Sequence, residues 1–85
     1  MSLGAYQIDW TEYERGWGQR PDGSTLHLTK EDADAYIKEY WDGMPDRSLG
    51  VPDEYSAPGT PRFVEATVEQ IEQITMSPKR AIWIK

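Results

Sequence analysis

The sequence predicts a small α+β domain in which a mostly antiparallel sheet packs against one main helix. An apolar stripe at helical spacing runs through Lys30–Asp42, and alternating stretches typical of strands lie on both sides of it. The expected order is strand, strand, helix, loop, strand, short helix, strand. We expect one domain over residues 4–85 of the 85-residue chain, with residues 1–3 treated as a possible cloning remnant.

The first strand is predicted from Tyr6, Ile8 and Trp10, which alternate with polar residues. Tyr13 and Trp17 have the opposite parity, so either a bulge changes the face of the strand or these two rings lie on the other side of the sheet. Both alternatives are compatible with a strand that carries several large rings.

The second strand is predicted at Ser24–Leu28, after a turn at Arg20–Gly23 that has Pro in its second position and Gly in its fourth. Leu26 and Leu28 share one face of this strand, which is expected to be half-buried. Its other face carries His27, which is therefore expected to be exposed.

The main helix is expected to begin after Thr29, whose hydroxyl can accept from the amide of Asp32. Its apolar stripe is formed by Ala33, Tyr36, Ile37, Tyr40 and Trp41. Trp41 is expected to be central in the core, and Gly43 is expected to end the helix in a left-handed conformation.

The second half begins with a Pro- and Gly-rich loop at 43–61, whose density of breakers is expected to exclude regular structure. A short strand is predicted at Arg62–Ala66. Thr67 and Gln70 form a capping-box pattern that predicts a short helix ending before Pro78. The alternative is one long strand from Arg62 to Thr75, which the parity of Ile71 and Ile74 disfavours. A last strand is predicted at Arg80–Lys85.

Composition narrows the possible functions. The formal charge of −6 argues against a nucleic-acid partner, because phosphate binding requires clustered Lys and Arg. No apolar run is long enough for a membrane span, so no membrane partner is expected. The absence of Cys fits a reducing compartment, and the expected location is the cytoplasm.

Tests for catalytic and cofactor motifs are mostly negative. His27 is the only histidine and shows neither a nucleophile nor an orienting acid in the sequence, so no catalytic residue, metal ligand or cofactor site is assigned. Gly16 and Gly18 lack the remainder of a dinucleotide fingerprint. Glu12 and Glu14 could form a carboxylate pair beside aromatic rings, as in sugar sites, but solvated ion pairing with Arg15 and Arg20 is the favoured interpretation.

Two groups of residues are candidates for partner binding. The first is an aromatic set on the predicted hairpin, consisting of Trp10, Tyr13 and Trp17. The second is the acidic face of the helix, consisting of Asp34, Glu39 and Asp42, which could dock on a basic protein surface.

The first half of the chain resembles small uncharacterised proteins that are encoded by tailed bacteriophages and prophages. The resemblance is carried by Trp10–Gly23, Leu26–Ala33, Tyr36–Trp41 and Val51–Ser56. It implies an accessory gene product in a bacterial cytoplasm, where small acidic phage proteins often bind host enzymes, and it assigns no functional residue. From Pro61 onward the chain resembles no family.

The leading hypothesis is a non-enzymatic module that binds a host protein. The alternatives are a small carbohydrate-binding module or carboxylate-based hydrolase, and a structural protein that forms a homo-oligomer through its sheet edge.

Overall fold

A computed structural model describes residues 3–14, 18–43 and 54–84. It confirms the α+β class and an antiparallel sheet, and it contains one strand more than the sequence predicted. The elements are β1 (Leu3–Glu14), β2 (Gly18–His27), α1 (Lys30–Asp42), β3 (Glu54–Pro58), β4 (Arg62–Ala66), α2 (Val68–Met76) and β5 (Ile82–Ile84).

Strand β1 lies at the centre of the sheet. It pairs with β2 along one side, and along its other side it pairs with β4 near its start and with β3 near its end. Strand β5 pairs with β2 opposite Ser24–Leu26. The long β1 strand therefore has neighbours on both sides, whereas β5 pairs only with β2 within the described part of the chain.

The two helices cover opposite faces of this sheet. Ile8 and Trp10 form a buried cluster with Ala33 of α1, and Ala5 and Leu26 form another with Ile74 of α2. Both faces of the sheet are therefore apolar where a helix lies over them, and the molecule has three layers.

This layering corrects the expectation that His27 is exposed. His27 stands opposite Tyr6 in the ladder, on the α1 side, and it is 0% exposed. Thr25, two residues earlier on the same face, is also 0% exposed. The alternation predicted for β2 is confirmed. The error concerns the layers, because α2 covers the Leu26 face and α1 covers the face that carries His27.

Both helices begin at the predicted caps. The Thr29 hydroxyl accepts from the amide of Asp32 at 3.0 Å, and Thr67 forms the complete capping box with Gln70. The end of α1 differs from prediction, because Gly43 has φ −82° and ψ −6° and is right-handed. Its amide instead donates to the Glu39 carbonyl at 3.0 Å, which continues the helical pattern by one residue.

Residues 54–58 correct the expectation that the loop at 43–61 lacks regular structure. They form β3, which pairs with Trp10–Glu14. Pro58 is the last residue of this strand, a position at which proline is tolerated. Proline and glycine therefore flank a strand here instead of preventing one. The strand is stabilised by its pairing with β1, which is distant in the sequence.

The predicted turn at Arg20–Gly23 is also wrong, since these residues belong to β2. Between Asp9 and Thr11 the partner strand advances by three residues, which places Asp22 and Gly23 opposite Trp10 in a β-bulge. Gly23 has φ +98°, which glycine adopts without strain. Residue types that favour turns therefore also occur in β-bulges.

The core is centred on a different tryptophan from the one expected. Trp10 is 2% exposed, whereas Trp41 is only partly buried and packs edge-on against Tyr40. Trp10 lies at the middle of the sheet beneath α1, but Trp41 lies near the end of that helix. Among the described residues, neither helix has the length and apolar character required to cross a bilayer.

Candidate functional site

The cavity between the sheet and α1 is filled by a buried polar and aromatic cluster. Trp10 Nε1 donates to Thr25 Oγ1 at 2.9 Å, and the same oxygen lies 2.9 Å from His27 Nε2. The rings of Tyr36 and Tyr40 lie 6.0 and 4.9 Å from the Trp10 ring, and Tyr36 also lies 4.9 Å from the imidazole. We refer to these five residues as the Trp10 cluster.

The second imidazole nitrogen is buried, as is one carboxylate oxygen in the first turn of α1. His27 Nδ1 and Asp32 Oδ2 are both buried, and neither has a hydrogen-bond partner in the described part of the chain. Arg80 Nη1 lies 3.7 Å from Asp32 Oδ2. Burial lowers the pKa of His27, and the Arg80 backbone and the Asp32 carboxylate only partly oppose this effect. The imidazole is therefore neutral at pH 7.

Asp32, His27 and Thr25 are an acid, a base and a hydroxyl, the three groups that nucleophilic catalysis combines. Two observations argue against this chemistry. Thr25 is 0% exposed, and its oxygen already accepts the Trp10 indole hydrogen. A substrate carbonyl could not approach the hydroxyl while α1 is in place, so we interpret these residues as a hydrogen-bonded part of the core.

The predicted aromatic partner site is not assembled as expected. Trp10 is buried and cannot contact a partner, so its assignment to an exposed patch was wrong. The pairing of β1 with β3 is regular from Trp10 to Glu14, so the extra residue of the bulge lies in β2, and the partly buried Tyr13 lies on the sheet face opposite to that of Trp10. Trp17 lies outside the described residues.

The acidic residues assigned to α1 are exposed on its outer side. Asp34 lies 3.9 Å from Lys30 of the same helix, and Glu39 lies 3.5 Å from Lys79 in the turn before β5. Asp42 is exposed at the end of the helix. Since the two pairs are largely solvated, each is expected to contribute less than about 1 kcal/mol and to remain open to exchange with a partner's charges.

Trp83 is a candidate contact residue that sequence reasoning missed. It is 52% exposed and stands on β5, on the same sheet face as Thr25. Its ring lies 5.8 Å from the Trp10 ring. The available signal was its alternation with Ile82 and Ile84, which turns it away from their face.

A groove of about 390 Å³ lies between α1 and the turn that leads to β5. It is lined by Tyr36, Glu39, Tyr40, Gly43 and Lys79. Two of these residues also contact Trp10, which in turn contacts Trp83. The partly exposed rings of Tyr36, Tyr40 and Trp83 thus form a margin around the buried indole, which we call the aromatic rim.

A second exposed aromatic ring lies at the opposite edge of the sheet. Phe63 on β4 is 67% exposed and lies edge-on to Tyr6 at 5.7 Å. A side chain at Gly4 would overlap the Phe63 ring, so the ring lies against the backbone of β1. Phe63 resembles Trp83 in exposure but lies outside the Trp10 cluster.

The described residues assemble no metal centre, and the Glu14 side chain of the carboxylate pair lies outside them. Within residues 3–14, 18–43 and 54–84, no three His, Cys, Asp or Glu side chains are grouped to hold a metal ion. Glu12 accepts from Arg20 Nε at 2.9 Å, which agrees with the ion-pairing interpretation.

Comparisons with known proteins identify no relative. No protein-family model matches the chain, and neither the curated proteins nor the solved structures contain a significant match.

Proposed function

We propose that this protein is a non-enzymatic binding module that holds another protein against its aromatic rim and the adjacent acidic side of α1. The observation that supports this most directly is Trp83, which is half exposed yet packed against the core. Tryptophan is among the residues that contribute most to protein–protein affinity. Following the phage resemblance, we place the partner in the bacterial cytoplasm.

The rim is well suited to binding because its rings are already held in place. Trp83 contacts Trp10, which is fixed by its hydrogen bond to Thr25. The Tyr40 hydroxyl donates to the Ser56 carbonyl of β3. A side chain that is immobilised before binding loses little further entropy in the complex, so more of its contact energy appears as affinity.

The charge around the rim favours a basic partner. Glu39 lies in the groove beside Tyr36 and Tyr40, with Asp42 following on the same helix, and the whole chain has a formal charge of −6. We therefore expect a partner segment that places an apolar side chain against the rim and Lys or Arg opposite the acids. Such complementarity accelerates association and makes it sensitive to salt.

The proposal is tested by affinity capture from bacterial lysate, followed by a binding titration with the purified partner. Trp83→Ala should weaken binding at least about tenfold, which corresponds to about 1.4 kcal/mol. Asp34→Lys combined with Glu39→Lys should weaken it mainly at low salt. Phe63→Ala is the matched control, since it removes another exposed ring at the opposite sheet edge, and should bind like the unmodified protein.

Equal binding by the Trp83→Ala and Phe63→Ala proteins would contradict the proposed surface. Light scattering on the purified chain addresses the homo-oligomer alternative, because a defined oligomer dissociated by Trp83→Ala would identify the partner as a second copy. Circular dichroism of each variant shows whether lost binding reflects lost folding.

A further inference from the structure

The sheet face on the α2 side extends beyond the helix and forms a hollow of about 670 Å³. Helix α2 packs over Ala5 and Leu26, but the next β1 residues on this face, Gln7, Asp9 and Thr11, line the hollow instead. The volume lies within the range of about 300–1,000 Å³ that small-molecule sites occupy. We call this region the polar hollow.

Asp9 is held in a fixed orientation within the polar hollow. Its Oδ1 accepts from Gln7 Nε2 at 2.7 Å and from Ser24 Oγ at 2.8 Å, and its Oδ2 lies 3.3 Å from Arg62 Nη2. The hydrogen bonds from Gln7 and then Ser24 lower the pKa of Asp9, and Arg62 adds to this effect. The carboxylate is thus an ionised acceptor whose position is set by three neighbouring side chains.

The rest of the polar hollow combines an apolar surface with hydroxyl and amide groups. Trp10, Pro21 and Ile84 contribute the apolar part, and Pro21 and Ile84 lie on either side of the β2 bulge. A Cβ at Gly23 would lie only 3.2 Å from the Ile84 carbonyl oxygen, so the bulge keeps side chains away from this point. Bulges occur often beside binding sites because they redirect the strand.

The charges of the polar hollow are balanced within the protein. Arg62 neutralises Asp9 at 3.3 Å, and the lining residue Arg20 pairs with Glu12 at 2.9 Å. A cationic ligand would compete with Arg62 for Asp9, and an anionic ligand would meet the Asp9 carboxylate. A neutral ligand with many hydroxyl groups encounters neither cost, and its hydroxyls can both donate to carboxylate oxygens and accept from amides.

We propose that the polar hollow binds a neutral carbohydrate of one or two sugar units, with the C–H face of a ring on Pro21 and Ile84 and its hydroxyls on Asp9, Gln7 and Ser24. This site is separate from the three rings of the aromatic rim, which lie on the opposite sheet face, but it shares the buried Trp10 with them. It also differs from the Glu12 and Glu14 pair considered in the sequence analysis, because Glu12 points to the α1 side. The two proposals can therefore fail independently.

The test is an NMR titration of the isotope-labelled chain with glucose, galactose, mannose and N-acetylglucosamine, each as the monosaccharide and a disaccharide. At least one neutral sugar should shift the amide signals of Gln7–Thr11 and Ser24. Asp9→Asn and Ser24→Ala should each weaken that binding at least about tenfold, since each removes part of the fixed acceptor group. Asp34→Asn is the control, because it changes an exposed carboxylate on α1 that does not line the polar hollow.

Absence of saturable shifts with all of these sugars would overturn the proposal. So would shifts that map to the α1 face, or binding that survives both Asp9→Asn and Ser24→Ala. Preserved dispersion in the spectra of the variants establishes that they are folded, which separates loss of the site from loss of the structure.

Discussion

Trp10 lies at the centre of the aromatic contacts in the core. Its indole is 2% exposed, donates to Thr25 and contacts Tyr36, Tyr40 and Trp83. We expect Trp10→Ala to lower the free energy of unfolding by about 3–5 kcal/mol, because it leaves a large cavity and removes the hydrogen bond from the indole to Thr25. Urea denaturation measures this directly.

Trp41→Ala is the matched control for this prediction, since it removes the same side chain from a partly buried position on α1. Its midpoint should shift clearly less than that of Trp10→Ala. A larger shift for Trp41→Ala would show that the core is centred nearer to the end of the helix.

His27 should make stability depend on pH. Burial lowers its pKa below the ordinary value of 6.5, so near that pH the unfolded chain binds a proton more readily than the folded chain. The stability contributed by the neutral imidazole is therefore complete above about pH 6.5 and declines as the pH falls, by at most about 1.4 kcal/mol per pH unit.

The measurement is urea denaturation at several pH values between about 8 and 5, for the unmodified chain and for His27→Gln. The variant should lose the decline in this window even if it is less stable overall. Asp9 titrates separately, because its pKa is lowered from 3.8 and its contribution disappears only in more acidic solution. Parallel pH profiles for the two proteins would rule out His27 as the cause.

At the scale of single elements, both helices were predictable because their signals are local. Thr29 and Thr67 each accept from the amide three residues later, as their patterns indicated. The strand at Glu54–Pro58 was missed because its stability comes from pairing with β1, whose paired residues lie between forty and forty-eight positions away in the chain. The bulge at Gly23 was mistaken for a turn because both structures use the same residue types.

The capping box at the start of α2 is expected to stabilise the protein. Thr67 Oγ1 accepts from the Gln70 amide at 3.1 Å, and Gln70 Oε1 accepts from the Thr67 amide at 2.9 Å. In a helix of nine residues these bonds satisfy a large share of the exposed amides. Thr67→Ala should therefore lower the free energy of unfolding by about 1 kcal/mol.

Thr67→Ser is the conservative comparison and should retain most of this stability, because serine can accept the same hydrogen bond. Thr75→Ala, which removes a hydroxyl bonded to the Ile71 carbonyl within the same helix, controls for the loss of any exposed threonine. If all three variants were equally stable, the cap would not contribute measurably to α2.

At the scale of the whole molecule, the arrangement of three layers decides which residues can serve a site. One helix on each face places Trp10 and His27 in the interior and leaves Trp83 at the sheet edge. The sequence predicted the main helix and its acidic side, but not the positions of the exposed rings. These depend on the order β3–β1–β2–β5, and no local pattern in the chain encodes that order.

The same topology predicts an uneven distribution of local stability. Tyr6 and Gln7 of β1 pair with β2 on one side and with β4 on the other, and their neighbours Ala5 and Ile8, each beneath a different helix, are 0% exposed. By contrast, β5 has three residues and pairs only with β2 among the described strands. Amide hydrogen exchange should therefore be slowest at Ala5–Trp10 and at the paired residues Thr25–His27, and clearly faster in β5.

Hydrogen exchange followed by NMR under native conditions measures these rates residue by residue. The amides on the solvent-facing side of α1 provide an internal comparison. Because opening β1 requires both core clusters to separate, its slowest amides should exchange only through global unfolding, with the free energy obtained from urea denaturation. Opening of β5 exposes the partly buried Ile82 and Ile84 and Trp83, which is already half in solvent, and therefore costs less than opening β1. Protection in β5 equal to that in β1 would mean that its outer edge is covered in solution, and self-association would then be the first explanation to test.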